Sequence, residues 1–279
     1  MGGQKGTAVG ATVAYGSLKN NVQSKIKGGE YDKISTADVT AKTNMTQVGV
    51  AANISVAGGG AASTTSVGGT AAYNTLTNDV DATVEGVSFK GESLNVAAYD
   101  GAGEANTNAH TADLKARGFD ADGQEYLGGV QQAANENGDS SHDDGTTAVD
   151  TSRKGNLIVT GAVNTSVSTG NKGGAAGASI SISQIKNDFN AGIKGSDIIT
   201  TGTTQTDENG NEYTAGGTKV AADSNTILAG VAAGAAGSNG SFGIGGSASW
   251  QQLHNDVTAS IENSRVKAPV TDVSAVSGA

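Results

Sequence analysis

The stretch Tyr73-Asn-Thr-Leu76-Thr-Asn78-Asp79-Val80-Asp-Ala82-Thr-Val84 decides the fold, because its pattern occurs four times in the chain. Its residues alternate with a period of two, which is the signature of a β-strand, whose successive side chains point to opposite faces. A helix would need apolar residues three and four positions apart. The other copies begin at Tyr15, Ile182 and Trp250 and match without a gap. The motif therefore predicts one strand in each repeat.

The alternation also predicts which side chains point into the core. These are the motif Leu or Ile and the Val or Phe four positions later: Leu18, Leu76, Ile185, Leu253, Val22, Val80, Phe189 and Val257. A motif asparagine shares this parity in every copy: Asn20, Asn78, Asn187 and Asn255. Buried Asn is costly without partners. We therefore expect either a ladder of side-chain amides between stacked strands or a corner at which Asn-Asp turns the chain.

Two further elements follow the motif. The second is centred on Val39, Val96, Val220 and Val273, and the third occupies residues 48–54, 158–164 and 227–232. The motif copies lie 58, 109 and 68 residues apart. A unit near 58 residues is too small to bury its own core, whereas stacked repeats bury their apolar faces on one another. The repeats predict one all-β, parallel β-solenoid domain over residues 1–279, with roughly two coils per repeat. An antiparallel sandwich is the alternative.

Composition excludes several classes of protein. The chain has 43 Gly, one Pro and 16% charged residues, which suits short strands and tight turns better than disorder. It has no Cys, so it has neither a disulfide framework nor a thiolate metal site. The net charge of −10 argues against nucleic acid and anionic membranes as partners. The most apolar stretch, 227–237, is too short to span a bilayer, so we expect no membrane insertion by this segment.

Two insertions interrupt the repeats, at residues 100–153 and 201–217. The first carries 11 acidic and three basic residues, a net charge of −8, against −2 for the rest of the chain. We expect it to be a dispensable loop and the main contact surface. Both insertions share a pattern, Asp120-Ala-Asp122-Gly123 and Asp207-Glu-Asn209-Gly210, which is typical of hairpin turns. A calcium loop is the alternative, but the twelfth position of an EF-hand needs Glu, and Gln131 and Thr218 stand there.

No catalytic, cofactor-binding or metal-ligating residue is predicted, and no cofactor. His110, His142 and His254 are far apart and lack the spacing of zinc ligands. His254 has the parity of a solvent-facing residue. The glycine-rich stretch 170–174 lacks the phosphate-binding pattern and is more simply a turn.

The segments Gly230–Gly237 and Ser247–Ile261 resemble the degenerate repeats of filamentous-haemagglutinin-like and leukotoxin-like giant bacterial adhesins. The resemblance covers most of the chain outside the insertions, and the acidic insertion matches no motif of that family. It implies a right-handed β-helix, a location outside the cell or on the bacterial surface, and a role in adhesion.

Composition, repeats and resemblance together predict a non-catalytic segment of a secreted or surface-attached filamentous adhesin, acting as a structural shaft and contact surface. Its partner would be a receptor or glycan on a host cell or bacterial surface, and self-association is a further possibility. The alternatives are a carbohydrate-active β-helix enzyme and a host-directed toxin segment. Acids converging inward beside an aromatic groove would favour the enzyme.

Overall fold

The computed structural model describes residues 6–58, 63–100, 156–206, 212–240 and 242–278. Within these ranges 87% of the residues lie in strands and none lies in a helix. Strands of different repeats pair in parallel throughout. The predicted all-β class and parallel pairing are therefore confirmed, and the antiparallel sandwich is wrong. The same ranges contain no helix that is long and apolar enough to cross a membrane.

The four motif copies form one sheet of long strands. These are β1 (Gly6–Lys27), β4 (Thr64–Glu85), β7 (Gly174–Lys194) and β12 (Phe242–Glu262), and they stand in that order. Their register matches the sequence alignment, because Leu18 pairs with Leu76, Leu76 with Ile185, and Ile185 with Leu253. Each repeat thus adds a single strand to this sheet. The expectation of two coils per repeat is wrong, since consecutive motif copies are direct neighbours.

The returning half of each repeat forms a second, facing set of strands. The first part comprises β2 (Glu30–Thr43), β5 (Ser88–Asp100), β8 (Asp197–Thr200), β13 (Arg265–Lys267), β14 (Thr271–Gly278) and the start of β11 (Thr218–Ser238). The second part comprises β3 (Thr46–Ala57), β6 (Asn156–Ser168) and the remainder of β11. The second sequence element is aligned as predicted, because Val96 pairs with Val39 and with Val220, and Val220 pairs with Val273.

A left-handed residue follows each long strand and turns the chain into the returning half. Gly28, Gly86, Gly195 and Asn263 occupy this corner with φ of 65°, 64°, 57° and 49°. Glycine adopts this conformation without a Cβ penalty, and Asn tolerates it better than most residues. The corners also stack on one another: the Gly28 amide donates to Glu85 at 2.8 Å, and the Gly86 amide donates to Lys194 at 2.9 Å.

An apolar interior fills the part of the molecule next to this corner. Val80, Phe189, Val96 and Val220 are all fully buried there between the motif and the returning strands. Leu76 and Ile185 are buried as well. Their counterparts in the end strands are partly buried and pack against the same clusters: Leu18, Leu253, Val22 and Val257. The predicted inward parity of the motif is therefore confirmed.

The other part of the interior is narrow, polar and hydrogen-bonded. It lies between the first halves of the long strands and β3, β6 and the end of β11. Asn53 donates to the Asn164 side chain at 2.9 Å, and Ser179 donates to the Ala233 carbonyl at 2.6 Å. Glycine allows the strands to approach this closely, since a Cβ at Gly68 would overlap the Asn164 amide oxygen. Small side chains and amides therefore replace a hydrophobic core in this half.

The first insertion leaves the stack at one corner and returns to the same corner. Asp100, assigned above to the insertion, is the last residue of β5, is fully buried and pairs with Thr43. Asn156 begins β6 and donates to the Asp100 carboxylate at 3.0 Å. In the neighbouring repeats the equivalent link is one residue, Asn44 or Asn225. Residues 101–155 themselves lie outside the described ranges.

The second insertion contains β9 (Thr203–Thr206) and β10 (Glu212–Ala215), which pair antiparallel. The register brings Gln205 opposite Tyr213. The intervening pattern Asp207-Glu-Asn209-Gly210 falls outside the described residues, as does its counterpart at Asp120–Gly123.

Candidate contact surfaces

The outward face of the long-strand sheet is organised in rows. Because the four strands pair in register, each outward motif position recurs on every strand and forms a row of four side chains across the sheet. Rows near the corner residues are polar and charged. Rows on the first halves of the strands are uncharged and mostly apolar.

A row of carboxylates marks the charged half. Asp79, Asp188 and Asp256 lie side by side, and Asn21 takes the fourth place and donates to Asp79 at 3.0 Å. Partial burial raises the pKa of Asp188, and the neighbouring Asp256 and Asp79 charges raise it further. Lys186 opposes this shift. The row therefore holds close like charges at a cost to the folded state.

In the neighbouring rows the carboxylates have hydrogen-bond or ion-pair partners. Asn190 donates to Asp81 at 2.7 Å. Glu85 contacts Lys25 at 3.0 Å and Lys27 at 3.7 Å. The hydrogen bond and charge of Lys25, followed by the charge of Lys27, lower the pKa of Glu85. The ion pairs of Glu85 are solvent-exposed, so they contribute little to stability. Across the described ranges no three His, Cys, Asp or Glu side chains converge as metal ligands would.

A shallow depression of about 290 Å³ lies between the apolar and charged rows. Gln184, Gln252, Lys186 and His254 are among its lining residues. His254 pairs with Lys186 and is exposed, so its predicted outward parity is confirmed. Besides Leu76 and Ile185, its lining supplies amides, hydroxyls, the Lys186 ammonium and the His254 imidazole. His110 and His142 lie outside the described residues.

The apolar rows form what we call the aromatic flank, the outward face of residues 7–15, 65–73, 174–182 and 242–250. Tyr15 and Tyr73 stack there with their ring centroids 5.5 Å apart and an interplanar angle of 9°. Ile182 and Trp250 continue their row on β7 and β12. About half or more of the surface remains exposed for seven large side chains: Val9, Val13, Tyr15, Ile180, Phe242, Ile244 and Trp250.

The motif asparagines are structural. Asn78 donates to Asn187, and Asn187 donates to Asn255, both at 2.8 Å, so these three form the expected amide ladder. Asn20 donates instead to Thr43 at 2.8 Å. All four lie within strands, so the alternative of a turn at Asn-Asp is wrong. The glycine-rich stretch 170–174 includes a turn at 171–172, as predicted.

The separation of charged and uncharged halves escaped the sequence analysis. Its signal is nevertheless present, because residues 43–78 and 224–255 contain no Asp, Glu, Lys or Arg. Inward positions there hold Ser, Asn and Gly, while outward positions hold Val, Ile and aromatics, the reverse of the usual pattern. The acidic insertion, predicted as the main contact surface, is beyond the described ranges. No family model, curated protein or solved structure matches the chain.

Proposed function

We propose that the chain is a right-handed parallel β-solenoid that serves as the shaft and contact surface of a secreted or surface-attached bacterial adhesin. The carrying observation is the unbroken register of four motif copies as neighbouring strands, with the facing set of returning strands in register as well. In a stack of this kind each repeat is stabilised by its neighbours, so the assembly can extend without a large globular core. A single domain over residues 1–279 follows from this proposal.

Two features support a contact role. The outward rows repeat the same polar chemistry along the stack, with Gln184 beside Gln252 and Thr75 bonded to Ser17 at 3.1 Å. Such rows offer a regular series of donors and acceptors to an extended glycan or protein. The acidic insertion departs from a corner that the neighbouring repeats close with one residue, which leaves the stack intact while residues 101–155 add a net charge of −6.

The fold is tested by small-angle scattering and negative-stain electron microscopy of the purified chain. We expect an elongated particle with a far-ultraviolet circular dichroism spectrum dominated by β-structure. A compact, spherical scattering envelope would contradict the proposal.

The contact role is tested by adhesion of beads coated with the chain to host and bacterial cells. A matched variant replaces residues 101–155 by a single Asn, as at Asn44 and Asn225. We expect the intact chain to bind, more weakly as salt is raised, and the variant to bind less while remaining folded. Unchanged binding by the variant would indicate that the outward rows of the long-strand sheet are the contact surface. Absence of binding to any cell would refute the adhesive role. Release of sugar from surface glycans would instead favour the enzyme alternative.

A further inference from the structure

The aromatic flank is too large and too apolar for an ordinary free surface. Its large side chains, Val67 included, expose roughly 900 Å² together, taking about 250 Å² for each aromatic residue and about 150 Å² for each Val or Ile and scaling by the observed exposures. The largest apolar patch of a typical monomer is about 300–600 Å². Each partner of a standard protein interface contributes about 800 Å². The flank thus has the area that one side of a stable interface needs.

We propose that the aromatic flank packs against the same flank of a second copy of the chain, related by a two-fold axis. This inference concerns self-assembly, goes beyond the adhesive role proposed above and does not depend on it.

The shape of the aromatic flank is complementary to the same surface on a second copy of the chain. One row across the sheet contains only small residues, Ala11, Gly69, Ala178 and Gly246. It runs between a row with Val9 and Ile244 and a row with Val13 and Ile180, so it forms a groove between two apolar ridges. Nothing lies within 4 Å of a Cβ added at Gly69 or Gly246, so the groove is open. A two-fold axis between the groove and a ridge places each ridge in the partner's groove.

The charge distribution favours the same arrangement. The chain carries a net charge of −10, and two copies would repel if their acidic regions met. Asp79, Asp188 and Asp256 lie on the same face as the flank but beyond its end. With the strands of the two copies antiparallel, the uncharged halves overlap and the charged halves lie at opposite ends.

A lipid surface is the less suitable partner. Among the described strands, β1 and β12 have a hydrogen-bonded neighbour on one side only. Inserting the flank into hydrocarbon would bring these backbone edges into a medium that cannot hydrogen-bond to them, at a cost of several kcal/mol per group. Against a second copy the edges stay at the rim, where water satisfies them. Aromatic anchors such as Tyr15 and Trp250 are also typical of protein interfaces.

The opposite outward face is a weaker candidate. Its strongly exposed large residues, Val48, Val50, Ile54 and Val56, all belong to the single end strand β3. The aromatic flank, by contrast, presents large exposed side chains on all four of its strands. This difference allows the two faces to be distinguished by mutation.

Sedimentation velocity of the full chain over a range of concentrations tests the proposal. We expect a monomer–dimer equilibrium that Ile180→Lys weakens by about 30-fold or more, since the loss of a central hot-spot side chain alone has about this effect. Thr77→Lys, on the same face outside the flank, and Val50→Lys, on the opposite face, add the same charge and should leave the dimer unchanged. Equal effects of the three variants, or a monomer at every concentration, would overturn the proposal.

Gly69→Leu separates specific packing from general stickiness. It makes the flank more apolar but fills the groove, so we expect a weaker dimer, whereas stronger association would refute the ridge-in-groove arrangement. The chain has no cysteine, so Ala178→Cys provides a single cross-linking site. Because the two groove residues lie on either side of the two-fold axis, a short bis-maleimide should link Ala178→Cys to its counterpart, while the same reagent should not link Thr77→Cys. Flotation of a monomeric chain with phosphatidylcholine vesicles, abolished by Ile180→Lys, would identify lipid as the occupant and refute the proposal.

Discussion

Replacing Asn187 by Ala should destabilise the chain far more than the same change at Asn20, although both residues hold the same motif position. Asn187 is fully buried. It accepts a hydrogen bond from Asn78 and donates two, to Thr226 at 2.7 Å and to Asn255 at 2.8 Å. At about 1 kcal/mol for each net hydrogen bond, the three bonds together contribute about 3 kcal/mol. The buried Asn78 amide, left without this acceptor, adds about 1 kcal/mol more.

Asn20 provides the matched control. It is half-buried in an end strand and has one side-chain hydrogen bond, to Thr43. Water can replace that partner, so Asn20→Ala should cost about 1 kcal/mol or less. The same atoms are removed in both variants, so the difference of about 3 kcal/mol isolates the ladder. Urea unfolding followed by circular dichroism measures the total, and hydrogen exchange of β7 amides measures the local effect. Equal losses for the two variants would refute the ladder as a source of stability.

Three further results are expected. Val80→Asp should lower the free energy of unfolding by several kcal/mol, because Val80 is fully buried among apolar side chains. Asp79→Ser, on the outward face, should lower it little. Equal melting temperatures for the two variants would contradict the register. Replacing residues 101–155 by one Asn should leave the stack folded and stabilise it by up to about 3 kcal/mol, because each halving of a loop removes about 0.6 kcal/mol of closure cost. Unfolding of this variant would show that the insertion belongs to the core. The raised pKa of Asp188 means that the folded chain holds this proton more tightly than the unfolded chain, so the contribution of this group to the free energy of unfolding should fall as pH rises above 3.8. Urea titrations at several pH values should therefore show Asp188→Asn gaining stability relative to the parent chain as pH rises above 3.8.

The register of the long strands could be predicted because the motif occurs in four copies that all indicate the same alignment. Four gapless copies fix both the strand pairing and the inward parity of Leu76 and Val80, since a shift by one residue would turn every apolar side chain outward. The position of the amides followed from the same parity. What remained open was whether Asn78 lay in a strand or at a corner. The pairing of Asn78 with Asn187 decided this, because it depends on two strands 109 residues apart.

The length of the long strands could not be predicted from the sequence. This caused the wrong prediction of two coils per repeat. The stretches that precede each motif, such as 64–72, are rich in glycine and small residues, which usually indicate turns. In the structure they continue the motif strand, and Gly68 is required there because Asn164 of the facing strand leaves no room for a Cβ. That requirement comes from a distant segment and is invisible locally. The uncharged half of the molecule was missed for a related reason. It is built from two segments, 43–78 and 224–255, that lie far apart in the sequence.

The position of the first insertion determines how long β4 waits for its partner β7 while the chain is being synthesised. β4 pairs along nearly its whole length with β7, yet the paired residues are 109 positions apart, compared with 58 for β1 and β4. At about 5–20 residues per second, a ribosome needs roughly 5–20 seconds to supply the partner of a completed β4. Throughout that interval the nascent chain presents a long strand with an open edge and half of its apolar core uncovered. A binding chaperone, or delivery to an export machinery before β7 emerges, would protect this vulnerable stage.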